Sequence, residues 1–347
     1  MTGPSRTSNL TKAEPVTGRQ VTLSAPSRLH FGLLSIGRDL PVNFGGAGLM
    51  LQQPRTEIHV EQADSFSVSG ADLDWIERMV RRWQAGSGIQ ANGLPPVRIT
   101  ISNHPFRHIG LGSGTQMALS LASALCRMFD LGEPAPVELA MMMGRGRRSS
   151  IGTFGFFRGG FLVDRGHESG DRISPLDLRL EFPTDWPIVL LTPKLAPGSH
   201  GSNELDAFDR AARSDPGIRQ QMVKLLNESS APSIAARNFE VFCRSIHDFN
   251  VLSGDYYHSV QGGTWHSPAV AGLVEHVREM GVPGIIQSSW GPGLAAFTGS
   301  LPAAQALVQN LAKLRHPALP ADRIQITKAD NDGAVAKNSN QLRNIVG

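Results

Sequence analysis

Three short stretches hold residue types that could do chemistry on an anionic substrate. The first is Gly110-Leu111-Gly112-Ser113-Gly114-Thr115-Gln116. Its alternating glycines let backbone N–H groups approach a ligand unobstructed, and a helix starting here would aim its positive end at the same place. Ser113, Thr115 and Gln116 add side chains able to hydrogen-bond an oxygen. The turn therefore reads as a phosphate cradle; the plainer alternative is a tight turn that needs glycine only for its backbone. A helix N-terminus contributes roughly 0.3–1 kcal/mol to a nearby negative charge, too little to hold a diphosphate, so arginines must assist.

The second stretch supplies them. Gly144-Arg145-Gly146-Arg147-Arg148-Ser149-Ser150 crowds its guanidinium groups between glycines, and like charges so close need an anion to offset them. A solvated surface cluster is the ordinary explanation for such a run. Here the apolar Met141-Met142-Met143 and Ile151-Gly152-Thr153-Phe154 bound the cluster, which favours a multiply charged phosphate ester held in the planar forks of arginine. The third stretch, Pro26-Ser27-Arg28-Leu29-His30-Phe31-Gly32, puts Arg28 and His30 on one side of an extended strand by the two-residue period. An arginine in an apolar strand is costly to bury without an anionic partner, either a ligand or an internal carboxylate. His30 is either an active-site acid, base or hydrogen-bond donor, or a satisfied structural histidine.

Regular elements must position these residues. Strands are expected at 21–25, 48–52, 57–62 and 97–102, with a helix at 72–84. After the glycine-rich turn, Met117, Leu121, Leu125 and Met128 recur at helical spacing and line one face. A further helix opens at Pro136 and stops at Gly144, and 153–164 reads as a Phe- and Gly-rich strand pair. Beyond about Pro193, helices at 203–213, 217–228, 233–248, 269–280 and 302–314 alternate with strands at 284–287, 293–298 and 323–327, an α+β pattern. Residues 1–20 form a polar tail, 21–192 a first lobe with the phosphate-binding loop, and 193–347 a second lobe.

A chain of 347 residues, 40% hydrophobic and 18% charged, can bury a sizeable core. Its formal charge of +3 is spread among acids, which suits small anions and not a nucleic-acid groove. Cys126 and Cys243 have no partner spacing for a metal or a redox pair, as expected of a reducing compartment. The tail lacks the apolar block of an export signal, and no run approaches the roughly 20 apolar residues that span a bilayer. A cytoplasmic protein is expected.

Taken together, Ala25–Gly32, Gly110–Gln116, Gly144–Thr153, Gly159–Asp164 and Gln287-Ser288-Ser289-Trp290-Gly291-Pro292 resemble the β-ribofuranosylaminobenzene 5′-phosphate synthases of tetrahydromethanopterin biosynthesis. The resemblance implies an α+β, two-lobed GHMP-kinase-like fold with a ribosomal-protein-S5-like first lobe. It also implies a reaction joining phosphoribosyl pyrophosphate to 4-aminobenzoate or 4-hydroxybenzoate, with loss of carbon dioxide and pyrophosphate. In that reading Arg28 holds the benzoate carboxylate and His30 serves beside it. The glycine-rich turn, with Gly110, Gly112, Ser113, Gly114, Thr115 and Gln116, holds phosphates together with Arg145, Arg147, Arg148 and Ser150, while Ser289 and Trp290 complete the substrate site. Mg²⁺ is expected to ride on the diphosphate, with no protein metal ligands assigned and no organic cofactor, and a homodimer is expected. An acidic residue of the family is replaced by Ser35, and Arg165 stands where a glycine is expected. Two rivals share the fold: an ATP-dependent small-molecule kinase, which would need a catalytic Asp where this chain has Ile151-Gly152-Thr153, and a ligand-binding protein without chemistry.

Overall fold

The computed structural model describes residues 14–36, 40–89, 93–196, 215–256, 258 and 262–338. The first sheet is built on two long antiparallel strands, β1 (Gln20–Leu33) and β2 (Gly46–Gln62). Short β3 (Ser67–Ser69) and helix α1 (Leu73–Ser87) lead to β4 (Val97–Asn103), which pairs with the later half of β2 and carries β3 at the sheet edge. Then come helices α2 (Ser113–Met128), α3 (Pro136–Met142) and α4 (Ile151–Arg158), and strands β5 (Phe161–Asp164) and β6 (Leu176–Leu180). β5 pairs with the early half of β2, so this one strand serves two neighbours along its length. The strands expected at 48–52 and 57–62 are therefore one continuous strand.

The second sheet has the order β10-β7-β9-β8, all antiparallel, from β7 (Ile188–Leu191), β8 (Ile285–Gln287), β9 (Leu294–Phe297) and β10 (Ile324–Thr327). Helix α5 (Pro216–Lys224) continues through a π-helical turn at Leu225–Ser230 into α6 (Ala231–Ala235), and α7 (Phe239–Asp255), α8 (Pro268–Glu279) and α9 (Leu301–Lys313) follow. The last strand, β11 (Val335–Asn338), returns to the edge of the first sheet beside β1. The sheets thus divide the chain differently from a split at 192/193, because β7 joins the second sheet and β11 the first.

Two expectations need correcting. Residues 153–164 are not a strand pair, since α4 occupies 151–158 and only 161–164 is a strand. The Phe and Gly content suggested β structure, but Ile151 and Phe156 are buried by a helical turn, and Gly155 lets it close on Met50, where an added Cβ would sit 2.3 Å from Sδ. Tertiary packing outweighs local propensity here. The helix expected at 233–248 is broken at Arg237, whose φ is +56°, and restarts where Asn238 accepts from Val241 N at 3.2 Å. The helix expected at 203–213 lies outside the described residues.

Core packing fixes what the site can rely on. Met117, Leu121, Leu125 and Met128 are all fully buried, against Trp83, Val60 and Ile99. Leu29 and Phe31 of β1 belong to an aromatic cluster with Phe161, Phe182, Phe242 and Phe297 that joins the two sheets. β1 therefore presents apolar residues to this core and Arg28 and His30 in alternate positions.

Candidate active site

A cleft of about 460 Å³ opens between the sheets, within the size range of small-molecule sites. Arg28 and His30 line it from β1, Thr115 from the first turn of α2, and Arg145, Arg147, Arg148 and Ser149 from the loop between α3 and α4. Asn250 and Ser253 of α7, with Trp265, Gln287, Ser289 and Trp290, form the opposite wall. Arg28 and His30 do share the cleft side of their strand, as the two-residue period requires. Among the described residues no carboxylate lines the cleft.

The arginine loop is held from behind. Asp164, fully buried at the end of β5, accepts from Ser149 Oγ and Ser150 N at 2.8 Å each and from Ser174 Oγ at 2.6 Å, with Gly166 N at 3.3 Å. Burial pushes its carboxyl above the usual carboxylate range against the pull of these donors. His167 Nε2 meets the Gly146 carbonyl at 2.9 Å on the other flank of the loop. The loop thus arches over two fixed points, with its guanidinium groups on the cleft side. Burial, then Arg82 and Arg148, lowers the Arg145 guanidinium to about 10. Its Nε is buried with no hydrogen-bond partner among the described residues.

His30 is 4% exposed, and its Nε2 likewise has no hydrogen-bond partner among the described residues. Burial first, then the charges of Arg28 and Arg148, holds its pKa well below the ordinary histidine value. The ring at the cleft floor is therefore neutral at physiological pH. The backbone of His30 is locked on both sides: its N–H donates to Ser288 Oγ at 3.0 Å, and its carbonyl accepts from Ser289 N at 2.9 Å.

Ser288 also donates to the Gly110 carbonyl at 2.7 Å, so one residue clamps β1 to the glycine-rich turn. The turn itself is mostly behind the cleft. Of its predicted residues only Thr115 lines the cavity; Gly110, Gly112, Ser113, Gly114 and Gln116 do not. Gly110, at φ +93°, presses on the Ser288 carbonyl, where an added Cβ would lie 2.0 Å from the oxygen. Gly112 backs onto the Arg28 side chain, with Nε 3.1 Å from an added Cβ. Gln116 is fully buried and donates to the Gly152 carbonyl at 2.9 Å, tying α2 to α4. Ser150 is also buried, facing away from the cavity with its N–H on Asp164.

The wall from α7 is not legible in the sequence. Asn250 donates to the carbonyls of Phe31 at 2.6 Å and Gln287 at 2.9 Å and accepts from Gln287 N at 2.8 Å, which joins the lobes across the cleft. Ser253 donates to the Leu33 carbonyl at 3.0 Å beside Gly32, whose added Cβ would lie 2.2 Å from Ser253 Oγ. Ser35, at the position of the family's acid, is buried and donates to the carbonyls of Val42 at 3.2 Å and Phe44 at 3.3 Å. Arg165 lies beyond Asp164, and its carbonyl accepts from Arg219 at 2.9 Å.

Comparison with known proteins places this geometry. Residues 75–160 match the family described as GHMP kinases N terminal domain. The chain is 25% identical over 336 residues to the β-ribofuranosylphenol 5′-phosphate synthase of Methanothermobacter thermautotrophicus, covering 91% of this chain and 98% of that protein. The enzyme of the same name from Methanocaldococcus jannaschii is 27% identical over 79% of this chain and 88% of its own. Among solved structures, homoserine kinase from Cytophaga hutchinsonii superposes with a TM-score of 0.64 at 17% identity, covering 92% of this chain and 97% of that one. Mevalonate pyrophosphate decarboxylase from Streptococcus pyogenes gives 0.65 at 13% identity, with 92% and 99% covered. The fold is the α+β fold of the GHMP family.

Proposed function

We propose that this chain, a GHMP-fold homologue of the β-ribofuranosylphenol 5′-phosphate synthases, is a decarboxylating phosphoribosyltransferase. It joins phosphoribosyl pyrophosphate to a para-substituted benzoate and releases carbon dioxide and pyrophosphate. The observation that carries this reading is a cleft lined by Arg28, Arg145, Arg147 and Arg148, walled by Trp265 and Trp290, and without a carboxylate among its described lining residues. Such a surface receives anions and, among its described residues, presents no carboxylate to deprotonate an alcohol.

The chemistry follows from those charges. As the C1–oxygen bond of the sugar breaks, the electron pair leaves on pyrophosphate, and positive charge develops on the ribose ring. Guanidinium groups fixed by the Asp164 clamp stabilise the departing oxygens without reorganising. The ring carbon bearing the carboxylate attacks C1, driven by the electron-donating para group. Loss of carbon dioxide then returns the electron pair to the ring. No ring proton has to be removed, so no strong base is needed. Arg28 orients the carboxylate before bond formation, and neutral His30 offers a hydrogen bond at the cleft floor without adding charge. Mg²⁺ enters as part of the substrate: no carboxylate is among the described residues that line the cleft, and a hard cation prefers oxygen anions, here those of the diphosphate.

The name of the relatives points to the phenol, which arises from 4-hydroxybenzoate, while 4-aminobenzoate would give the aniline. A kinase reading is less supported, because position 152 is glycine and Asp164 is sequestered by its donors. We place the enzyme in the cytosol, where charged phosphate esters are made; no described helix is long and apolar enough to cross a membrane. Incubation with phosphoribosyl pyrophosphate, Mg²⁺ and carboxyl-labelled 4-hydroxybenzoate or 4-aminobenzoate is expected to release labelled carbon dioxide from one of them. A folded sample that releases none from either, but turns over ATP on an alcohol, would overturn the assignment.

A further inference from the structure

Of the glycines that line the cleft, Gly32, Gly144, Gly146 and Gly254 each have a positive φ or an added-Cβ contact under 3.0 Å, and Gly152 has neither. Gly32 has φ +141° and meets Ser253; Gly110 has φ +93° and meets the Ser288 carbonyl; Gly155 meets Met50. Gly152 lies in the first turn of α4 and is not among the residues with positive φ. An added Cβ there would lie 3.3 Å from Thr115 Cγ2, 3.6 Å from Gln116 Nε2 and 3.7 Å from Arg28 Nε. The first is slightly tight, against a side chain that can turn; the others are ordinary contacts. A helix disfavours glycine relative to alanine, because glycine loses more backbone freedom. Neither the backbone nor the packing of the protein alone therefore requires glycine at 152.

Gly152 lines the cavity, and a side chain there would stand against Arg28 and Thr115, which line it too. Resting on the reaction proposed above, we infer that Gly152 is a specificity-determining residue whose bare Cα leaves the slot in which the benzoate carboxylate reaches the Arg28 guanidinium. The assignment to carboxylate, not phosphate, follows from the distribution of groups. Trp265 and Trp290 line the same cleft as Arg28, while three further arginines come from the loop at 145–148. A planar carboxylate pairs with a guanidinium fork edge to edge, in one plane and through two parallel N–H···O bonds, an approach that a methyl group beside Arg28 would obstruct.

Steady-state kinetics on the full chain, varying each substrate in turn, tests this. Gly152→Ala is expected to raise KM for the benzoate about tenfold, the scale of one methyl group in a pocket. KM for phosphoribosyl pyrophosphate should stay within about twofold, as for a site that does not share the contact. Melting temperature should hold or rise. Gly152→Asp places a tethered carboxylate within reach of Arg28, where it repels the incoming one, and is expected to lose more than about a hundredfold in kcat/KM for the benzoate. Unchanged benzoate KM in folded Gly152→Ala, or a rise confined to phosphoribosyl pyrophosphate, overturns the inference. Should the wild-type chain bind 4-hydroxybenzoate but not turn it over, the proposed reaction fails, while calorimetry still decides the slot: equal affinity of wild type and Gly152→Asp overturns it.

Discussion

The turn at 110–114 and the loop at 144–150 both interleave glycine with polar residues, yet they meet their surroundings differently. Gly110 abuts a backbone carbonyl that cannot move, that of Ser288. Gly144 and Gly146 abut side chains, the Arg82 guanidinium and Ile173, which can yield. The turn is built into the seam between the sheets, whereas the loop spans two anchors, Asp164 and His167, and carries its charges to the cavity. Gly110 serves the protein's own backbone; Gly144 and Gly146 alternate with arginines that line the cleft. A glycine-rich motif alone does not reveal which use applies, and charge beside it is the better guide.

That contrast breaks down most visibly if Gly110→Ala folds normally. With φ +93° and a contact of 2.0 Å to the Ser288 oxygen, the substitution is expected to cost about 3–5 kcal/mol of stability, read from the midpoint of urea unfolding. In the loop the loss should be catalytic. Arg145→Ala or Arg147→Ala is expected to remove about 2–4 kcal/mol of transition-state stabilisation, as when a fixed donor to a developing anion is deleted; kcat/KM falls while the unfolding midpoint holds. Arg28→Ala is expected to lose as much, and full activity would remove it from the mechanism.

His30 sits where the two regions meet, bonded through Ser288 and Ser289 and repelled by Arg148. Its folded pKa lies below its unfolded value near 6.5, so at pH values between the two the unfolded chain binds a proton that the folded chain refuses. The contribution is whole above that range and is lost as pH falls through it, by about 1.4 kcal/mol per pH unit within the range. His247 and His266 are depressed as well; in His30→Gln the slope of stability against pH should therefore flatten by one proton and not vanish. The smallest effect is the sharpest test of the turn. An added Cβ at Gly114 meets nothing within 4 Å, so Gly114→Ala should change stability by no more than about 0.5 kcal/mol. A drop in kcat/KM without loss of stability would show that the turn's amides still reach substrate.

Much of the architecture was legible in the sequence because it rests on periodicity. The face of α2 with Met117, Leu121, Leu125 and Met128, the strands ending near Gln287 and Thr327, and the helices at 268–279 and 301–313 all follow from local pattern. The gathering of Arg28, His30 and the arginine loop was also anticipated from charge that had no other apparent use. What failed to show were contacts between residues distant in sequence: Asn250 bridging Phe31 and Gln287, and Asp164 under Ser149 and Ser150. Helix α4 was mistaken for strands because its Phe and Gly residues suit either backbone, and only Met50 and Leu162 across the interface decide the matter.

By itself, then, the sequence determined which charges lie in the chain and which faces of β1 and α2 they and the apolar residues occupy, since spacing along a strand or helix fixes the side each residue faces. The tertiary structure decided which glycines touch protein and which leave room, and whether Ser150 and Gln116 meet a ligand or another helix. Those outcomes depend on residues in different elements, from 14 positions apart for Ser150 and Asp164 to 219 for Phe31 and Asn250, coming within a few ångströms, a condition set by packing and not by any local run of residues.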